Sequence, residues 1–205
     1  AGRYVLVYNG EIYNYQALRA SIPGTGFRTD SDTEVLLASF VRDGLDAANA
    51  FHGMFAFAIW DRQAQTLYLC RDRFGVKPLY YLTSEEGFVF ASELRALMGS
   101  RWVSRRLDPS ALHTYFSAQS FHQPETPLQD VRQLDPGTWL VVSDAGVRRV
   151  PYWTASSMLR KASADPSDPV AEISRHLRQA VERRLVSDVP VAAFLSGGID
   201  SSLVV

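Results

Sequence analysis

Near the end of the chain, the run Leu195-Ser196-Gly197-Gly198-Ile199-Asp200-Ser201-Ser202 leaves the surrounding backbone few options. An apolar stretch, Val189 to Leu195, leads straight into it, broken only by Pro190. That order predicts a strand, a tight Ser/Gly turn and a helix start. Glycines let backbone come close to a ligand, and the N–H groups at a helix start face negative charge. The hydroxyls of Ser196, Ser201 and Ser202 add donors at short reach. The pattern suits a phosphate, although an ordinary strand-to-helix turn has the same outline. No Gly-Lys-Ser/Thr follows, so the loop is not the one used by common kinases and GTPases.

The rest of the chain reads as two unlike parts. Arg3 to Tyr8 predicts a strand ending in an Asn9-Gly10 turn, with a helix over Glu11 to Ala20. Ser31-Asp32-Thr33-Glu34 has the form of a capping box opening a helix, and a short helix is expected over Leu45 to Phe51. Strands are expected at Met54 to Trp60, Thr66 to Cys70, Leu79 to Leu82 and Phe88 to Ala91. Helices follow at Glu93 to Met98 and, capped by Asp108, at Pro109 to Phe116. Thr138 to Val142 and Val147 to Trp153 predict a hairpin around Asp144-Ala145-Gly146. This mixed α+β part is assigned residues 1–153. Residues 154–168, rich in Ala, Ser, Asp and Pro, read as a linker. From 169 an amphipathic helix to Leu185, with Val170, Ile173, Leu177 and Val181 on one stripe, precedes the predicted strand and loop. Helix, strand and phosphate loop in that order begin a doubly wound α/β domain over 169–205.

With 205 residues, 46% hydrophobic and 21% charged, the chain has ample apolar material for a core. A net charge of −1 with interspersed signs gives no electrostatic case for nucleic acid or an anionic membrane. No apolar run reaches membrane-spanning length. One cysteine excludes an internal disulfide framework and fits a reducing, cytoplasmic compartment. The four histidines show no metal-ligand spacing.

A second group lies near the start. In Asn9-Gly10-Glu11-Ile12-Tyr13-Asn14, a side-chain amide and a backbone N–H together make an oxyanion hole, and Glu11 with Asp32 offers two carboxylates to an α-ammonium. On spacing alone the signal is weak, and the favoured reading of these residues is a common turn and a helix cap. Arg71, Arg73 and Lys77 around Gly75 invite a phosphate reading. The structural reading is favoured: Asp72 pairing with a neighbouring Arg, Gly75 and Pro78 shaping a turn, and Tyr80 and Tyr81 packing.

Taken together, Asn9 to Asn14, Ser31 to Glu34, Arg71 to Tyr81, Phe90 to Glu93 and Ser196 to Ser202 resemble, in order, the motifs of glutamine-dependent asparagine synthetases. The resemblance runs nearly the whole length. It implies an N-terminal nucleophile hydrolase fold of the class II glutamine amidotransferase type, followed by the start of an ATP-pyrophosphatase domain. In such a pair, glutamine is hydrolysed in front, and ammonia passes to the rear domain. There ATP and Mg²⁺ activate aspartate as an acyl-adenylate, and asparagine, AMP and pyrophosphate leave. By resemblance, Asn9 and Gly10 stabilise the oxyanion, and Asn9, Gly10, Glu11 and Asp32 bind glutamine. Leu195, Ser196, Gly197, Gly198, Asp200, Ser201 and Ser202 bind ATP, with Asp200 a Mg²⁺ ligand. A homodimer through the front domain is also implied. The family's N-terminal cysteine nucleophile and the arginine before Asn9 are not in this sequence, and Cys70 reads as a buried structural thiol. The 205-residue chain alone is therefore expected not to hydrolyse glutamine. Related proteins of this architecture act on other carboxylates, as in β-lactam ring closure, or serve without catalysis, and residues 1–205 do not choose among acceptors.

Overall fold

The computed structural model describes residues 2–159, 168–187 and 189–205, and it divides into two units, Ala1–Thr154 and Ala155–Val205. The expected linker therefore falls largely at 160–167, outside the described residues. Its first residues form a short helix, α6, given below.

In the first unit, β1 (Tyr4–Ile12) is followed by α1 (Tyr15–Ala20), α2 (Asp32–Asp43), a 3-10 turn at Gly44–Asp46 and α3 (Ala47–Ala50). Then come β2 (Gly53–Asp61), β3 (Thr66–Arg71), β4 (Tyr80–Ser84) and β5 (Gly87–Ala91). The unit closes with α4 (Leu94–Leu97), α5 (Pro109–Ala118), β6 (Arg132–Gln133), β7 (Thr138–Ser143) and β8 (Gly146–Pro151). The five-stranded sheet runs β1-β2-β3-β7-β8 and the three-stranded sheet β5-β4-β6, with every pairing antiparallel.

Alternation along β2 explains the layering. Phe55, Phe57 and Ile59 point to one face, where they meet Leu36 and Phe40 of α2 and Ala47 and Ala48 of α3. Ala56 and Ala58 point to the other, where Leu69, Leu140 and Tyr81 join the two sheets. Beyond the second sheet, Leu82 packs with Leu97 of α4, Val103, Leu128 and Val131. The order is helix, sheet, sheet, helix. The alanines of β2 thus face the second sheet, and its aromatic residues pack beneath α2 and α3.

Several expectations are corrected. Asn9-Gly10 is not a turn: β1 continues through it to Ile12, pairing Asn9 with Ala56 and Gly10 with Phe55. The helix expected from Glu11 starts only at Tyr15. The reason is tertiary. Gly10 has φ +153°, and a Cβ there would overlap the Met54 carbonyl oxygen and stand 2.6 Å from Phe55 Cα. Gly53 meets β1 in the same way, its place for a Cβ lying against the Glu11 carbonyl. A glycine on each strand, Gly10 opposite Phe55 and Gly53 opposite Ile12, allows a close approach that local turn preference does not register. Ser31 does cap α2, accepting from the Thr33 N–H at 3.1 Å. Glu34 does not complete the box, reaching instead to the N–H groups of Arg28 (3.0 Å) and Thr29 (2.9 Å).

The second unit holds α6 (Ala155–Leu159), α7 (Pro169–Arg184) and α8 (Ile199–Val204). Asp168 caps α7, accepting from Val170 and Ala171 N–H at 3.1 and 3.0 Å. The strand expected over Val189 to Leu195 does not form among its described residues, which are exposed. A strand needs a neighbour to hydrogen-bond, and none among the described residues pairs with it. The apolar stripe of α7 is likewise uncovered at Val170 and Ile173. Among the described residues no helix is long and apolar enough to cross a membrane.

Candidate functional site

The site is built on the outer edge of β1. The Tyr13 N–H bonds the His52 carbonyl at 2.8 Å and the Arg62 N–H bonds the Arg3 carbonyl at 2.9 Å. In an antiparallel pair the main-chain groups alternate in direction, so odd residues of β1 turn theirs to β2. The even residues Tyr8, Gly10 and Ile12 turn theirs outward, where no strand among the described residues pairs with them. At this edge the Ile12 N–H donates to Asp32 Oδ2 at 3.0 Å. The Gly10 N–H lies two residues back, roughly 7 Å along the strand. Asp32 is the first residue of α2, so the cap at Ser31 delivers its carboxylate to the end of β1.

Side chains sort by parity too. Tyr4, Leu6, Tyr8 and Ile12 pack on the helix face. Asn9 faces the second sheet, where its Nδ2 donates to Ser92 Oγ at 3.2 Å beside a cleft of about 120 Å³ that Val7, Ala56 and Phe90 also line. Glu11 is half-buried and makes no hydrogen bond or ion pair among the described residues. The structure thus gathers Asn9, Gly10, Glu11 and Asp32 at one end of β1, with Asn9 and Asp32 approaching from opposite faces. Sequence reasoning missed three residues here. Tyr8 OH donates to Asp32 Oδ2 at 2.7 Å. Ser92 holds the Asn9 amide. Asn14 ties the end of β1 to the start of β2, donating to the Ala50 carbonyl at 3.0 Å and accepting from the His52 N–H at 2.9 Å. Only Tyr8 carried a signal, a phenol in phase with the buried positions of its strand.

The second group lies at 195–202. Gly197 takes φ +78°, which favours glycine, and Gly198 caps α8. Ser196 and Ser201 hydroxyls stand 3.0 Å apart, and Ser201 and Ser202 hydroxyls donate to the Gly198 carbonyl at 3.0 and 2.8 Å. Apart from Ser201, which is part-buried, these residues are exposed, and Asp200 sits in the first turn of α8. Among the described residues no three His, Cys, Asp or Glu side chains gather to hold a metal.

A family model described as "Glutamine amidotransferase domain" matches residues 1–153, three-quarters of the chain. The chain belongs to the glutamine amidotransferase domain family. A second model, "Asparagine synthase", matches residues 172–205. Asparagine synthetase [glutamine-hydrolyzing] 3 of Bacillus subtilis is 38% identical over 204 residues, covering 98% of this chain and 33% of that protein. Asparagine synthetase [glutamine-hydrolyzing] 1 of the same organism is 40% identical over 205 residues, covering 98% and 32%. The chain spans about a third of the length of these curated relatives. Among solved structures, glutamine phosphoribosylpyrophosphate amidotransferase of B. subtilis superposes with TM-score 0.52 at 22% identity, covering 74% of this chain and 29% of that one. It shares the fold of the amidotransferase domain.

Within that domain, Cys70 is fully buried, and burial pushes its thiol well above the ordinary range. Its burial is what the sequence suggested. The segment after it differs from expectation. Asp72 pairs with no arginine among the described residues. Its Oδ2 accepts from Phe55 and Lys77 N–H at 3.2 and 3.0 Å, and its Oδ1 from Phe74 and Val76 N–H at 3.0 Å each. Arg71 does the converse, donating to the carbonyls of Lys77 (2.8 Å), Gly75 (2.6 Å) and Leu134 (2.6 Å) and to Gln123 Oε1 (3.1 Å). One residue collects the N–H groups of the loop and the other its carbonyls, so both are consumed by structure.

Proposed function

We propose that the protein bearing this chain makes asparagine from aspartate, with ATP as activator and glutamine as nitrogen donor. The observation that carries the reading is the β1 edge of an amidotransferase domain. An outward Gly10 N–H and an Asp32 carboxylate lie roughly 7 Å apart along the strand. Extended glutamine, whose α-nitrogen and side-chain carbonyl carbon are four bonds apart, reaches about 5 Å, and hydrogen bonds supply the rest.

In this reading the glutamine side-chain carbonyl turns to the Gly10 N–H and the Asn9 amide. These donors stabilise the oxygen as it takes on negative charge. Asp32 and Glu11 hold the α-ammonium and fix the amide carbon where attack occurs. Burial excludes Cys70 as the attacking group. Ammonia released there is the nucleophile for an aspartyl adenylate. Leu195, Ser196, Gly197, Gly198, Ser201 and Ser202 cradle the ATP phosphates, offering hydroxyls and N–H groups from an exposed turn. Asp200 fits Mg²⁺, which commonly takes one protein carboxylate and fills its octahedron with phosphate oxygens and water. When bound, that ion neutralises phosphate charge. A homodimer and a reducing cytoplasm complete the proposal, the latter in keeping with one unpaired thiol.

The test is product analysis on the full-length protein with glutamine, aspartate and MgATP. Equal amounts of glutamate, asparagine and pyrophosphate are expected. Glutamate and pyrophosphate without asparagine would reject aspartate as acceptor. No glutamate release would reject the β1 edge as a glutamine site.

A further inference from the structure

Asp32 has one oxygen committed and one open. Oδ2 accepts twice, from Tyr8 OH at 2.7 Å and from the Ile12 N–H at 3.0 Å. Oδ1 has only the long approach of its neighbour Thr33 Oγ1, at 3.4 Å. No cation bonds the carboxylate among the described residues. The phenol and the carboxylate come from β1 and from α2, 24 positions apart in sequence. Each alone has rotational freedom; bonded, they hold one geometry.

We propose that Tyr8 is a positioning residue for substrate: it pins Asp32 Oδ2 so that Oδ1 faces the α-ammonium of the bound amide donor. This rests on the glutamine reading of the β1 edge. A carboxylate on a helix start has a free χ2, and a second donor fixes the plane in which its lone pairs lie. The Ile12 N–H is one donor, fixed by the strand. With Tyr8 as the other, the plane is set from two directions. Burial, then the bond to Asp32, raises the phenol above its ordinary range, which favours the protonated form that donates to Oδ2. Tyr8 touches no reacting atom in this arrangement. Its effect is confined to substrates that carry a cation at the α-carbon.

That confinement supplies the test. In the full-length protein, steady-state glutamate release is measured for Tyr8→Phe and Asp32→Asn. Two donors are used, glutamine and its analogue lacking the α-amino group, and thermal melting is followed in parallel. Tyr8→Phe keeps the ring and removes only the hydroxyl. It is expected to raise KM for glutamine about ten-fold with kcat changed less than two-fold. The preference for glutamine over the analogue should fall by the same factor. Asp32→Asn should abolish most of that preference, and the double variant should be no worse than Asp32→Asn alone. If Tyr8→Phe leaves the preference intact while Asp32→Asn removes it, the positioning role is wrong and the glutamine reading stands. Equal losses on both donors with a lowered melting point would show a structural role only and overturn the proposal. If Asp32→Asn leaves the preference unchanged, the glutamine reading itself fails.

Discussion

Asp72→Asn tests whether the loop after β3 is held by its carboxylate. Asp72 is 1% exposed and each of its two oxygens accepts from two main-chain N–H groups. An amide has nearly the same shape but only one oxygen. Whichever way it turns, two N–H donors lose their acceptor and face an NH₂ group instead. Each stranded buried donor costs about 1–3 kcal/mol, giving roughly 4 kcal/mol for the pair. For a chain of this size about 1 kcal/mol corresponds to 2–4 °C, so the melting temperature should fall by about 10 °C. Differential scanning calorimetry of the variant beside wild type reads this directly. Asp30→Asn, at a fully exposed side chain, is the control and should move it by less than about 1 °C. A fall of under about 3 °C for Asp72→Asn would refute the reasoning, because it would mean that water or a shifted loop satisfies the stranded donors.

Three further outcomes are expected. Asp61 is held by Arg3 at 2.9 and 2.6 Å and by the N–H groups of Gln63 and Ala64, and these depress its carboxyl far below the usual range. Its stabilisation is therefore present above the unfolded value near 4 and is lost as pH falls below it, so Arg3→Leu should flatten the acid limb of urea midpoints measured from pH 5 to pH 2. Gly10→Ala should cost more than about 3 kcal/mol, since positive φ and overlap with the β2 backbone act together. Gly24→Ala, with φ +80° but open space, should cost only about 1 kcal/mol in the same denaturation assay. Glu11→Gln should leave the melting temperature unchanged or raise it, while lowering kcat/KM for glutamine at least ten-fold; a melting temperature lowered by more than about 3 °C would assign Glu11 to the fold instead.

What the sequence disclosed follows from where the deciding contact lies. The β2 strand was legible because its own residues carry the information: aromatic and aliphatic side chains at odd positions, alanines between, buried on both faces. The α2 and α5 starts were legible because Ser31 and Asp108 act within three residues of themselves. The end of β1 was not, because Asn-Gly is a strong turn pair and what overrides it is Gly53, far along the chain. Asp72 was misread for a related reason. An acid between two arginines suggests an ion pair, yet four main-chain N–H groups, those of Phe55, Phe74, Val76 and Lys77, take up both carboxylate oxygens. The Ser196 to Ser202 turn was recognised, but the strand before it depends on pairing that none of the described residues supplies.

Folding accounts for much of the β1 edge without any ligand. Gly10 is required by the approach of β2, so its identity says nothing by itself about an oxyanion. The Ile12 N–H needs an acceptor at an open edge, and Asp32 supplies one with a single oxygen. Two features are left over: the second oxygen of Asp32 and the whole carboxylate of Glu11. Both residues are half-buried, both carry charge, and neither has a cation bonded to it among the described residues. Partial burial of an anion is costly unless a cation comes to it. A ligand with an ammonium group at one end and a carbonyl at the other relieves that cost and meets the Gly10 N–H with the same molecule. The unspent charge, more than the glycine, is what supports the proposed amino-acid amide at this edge.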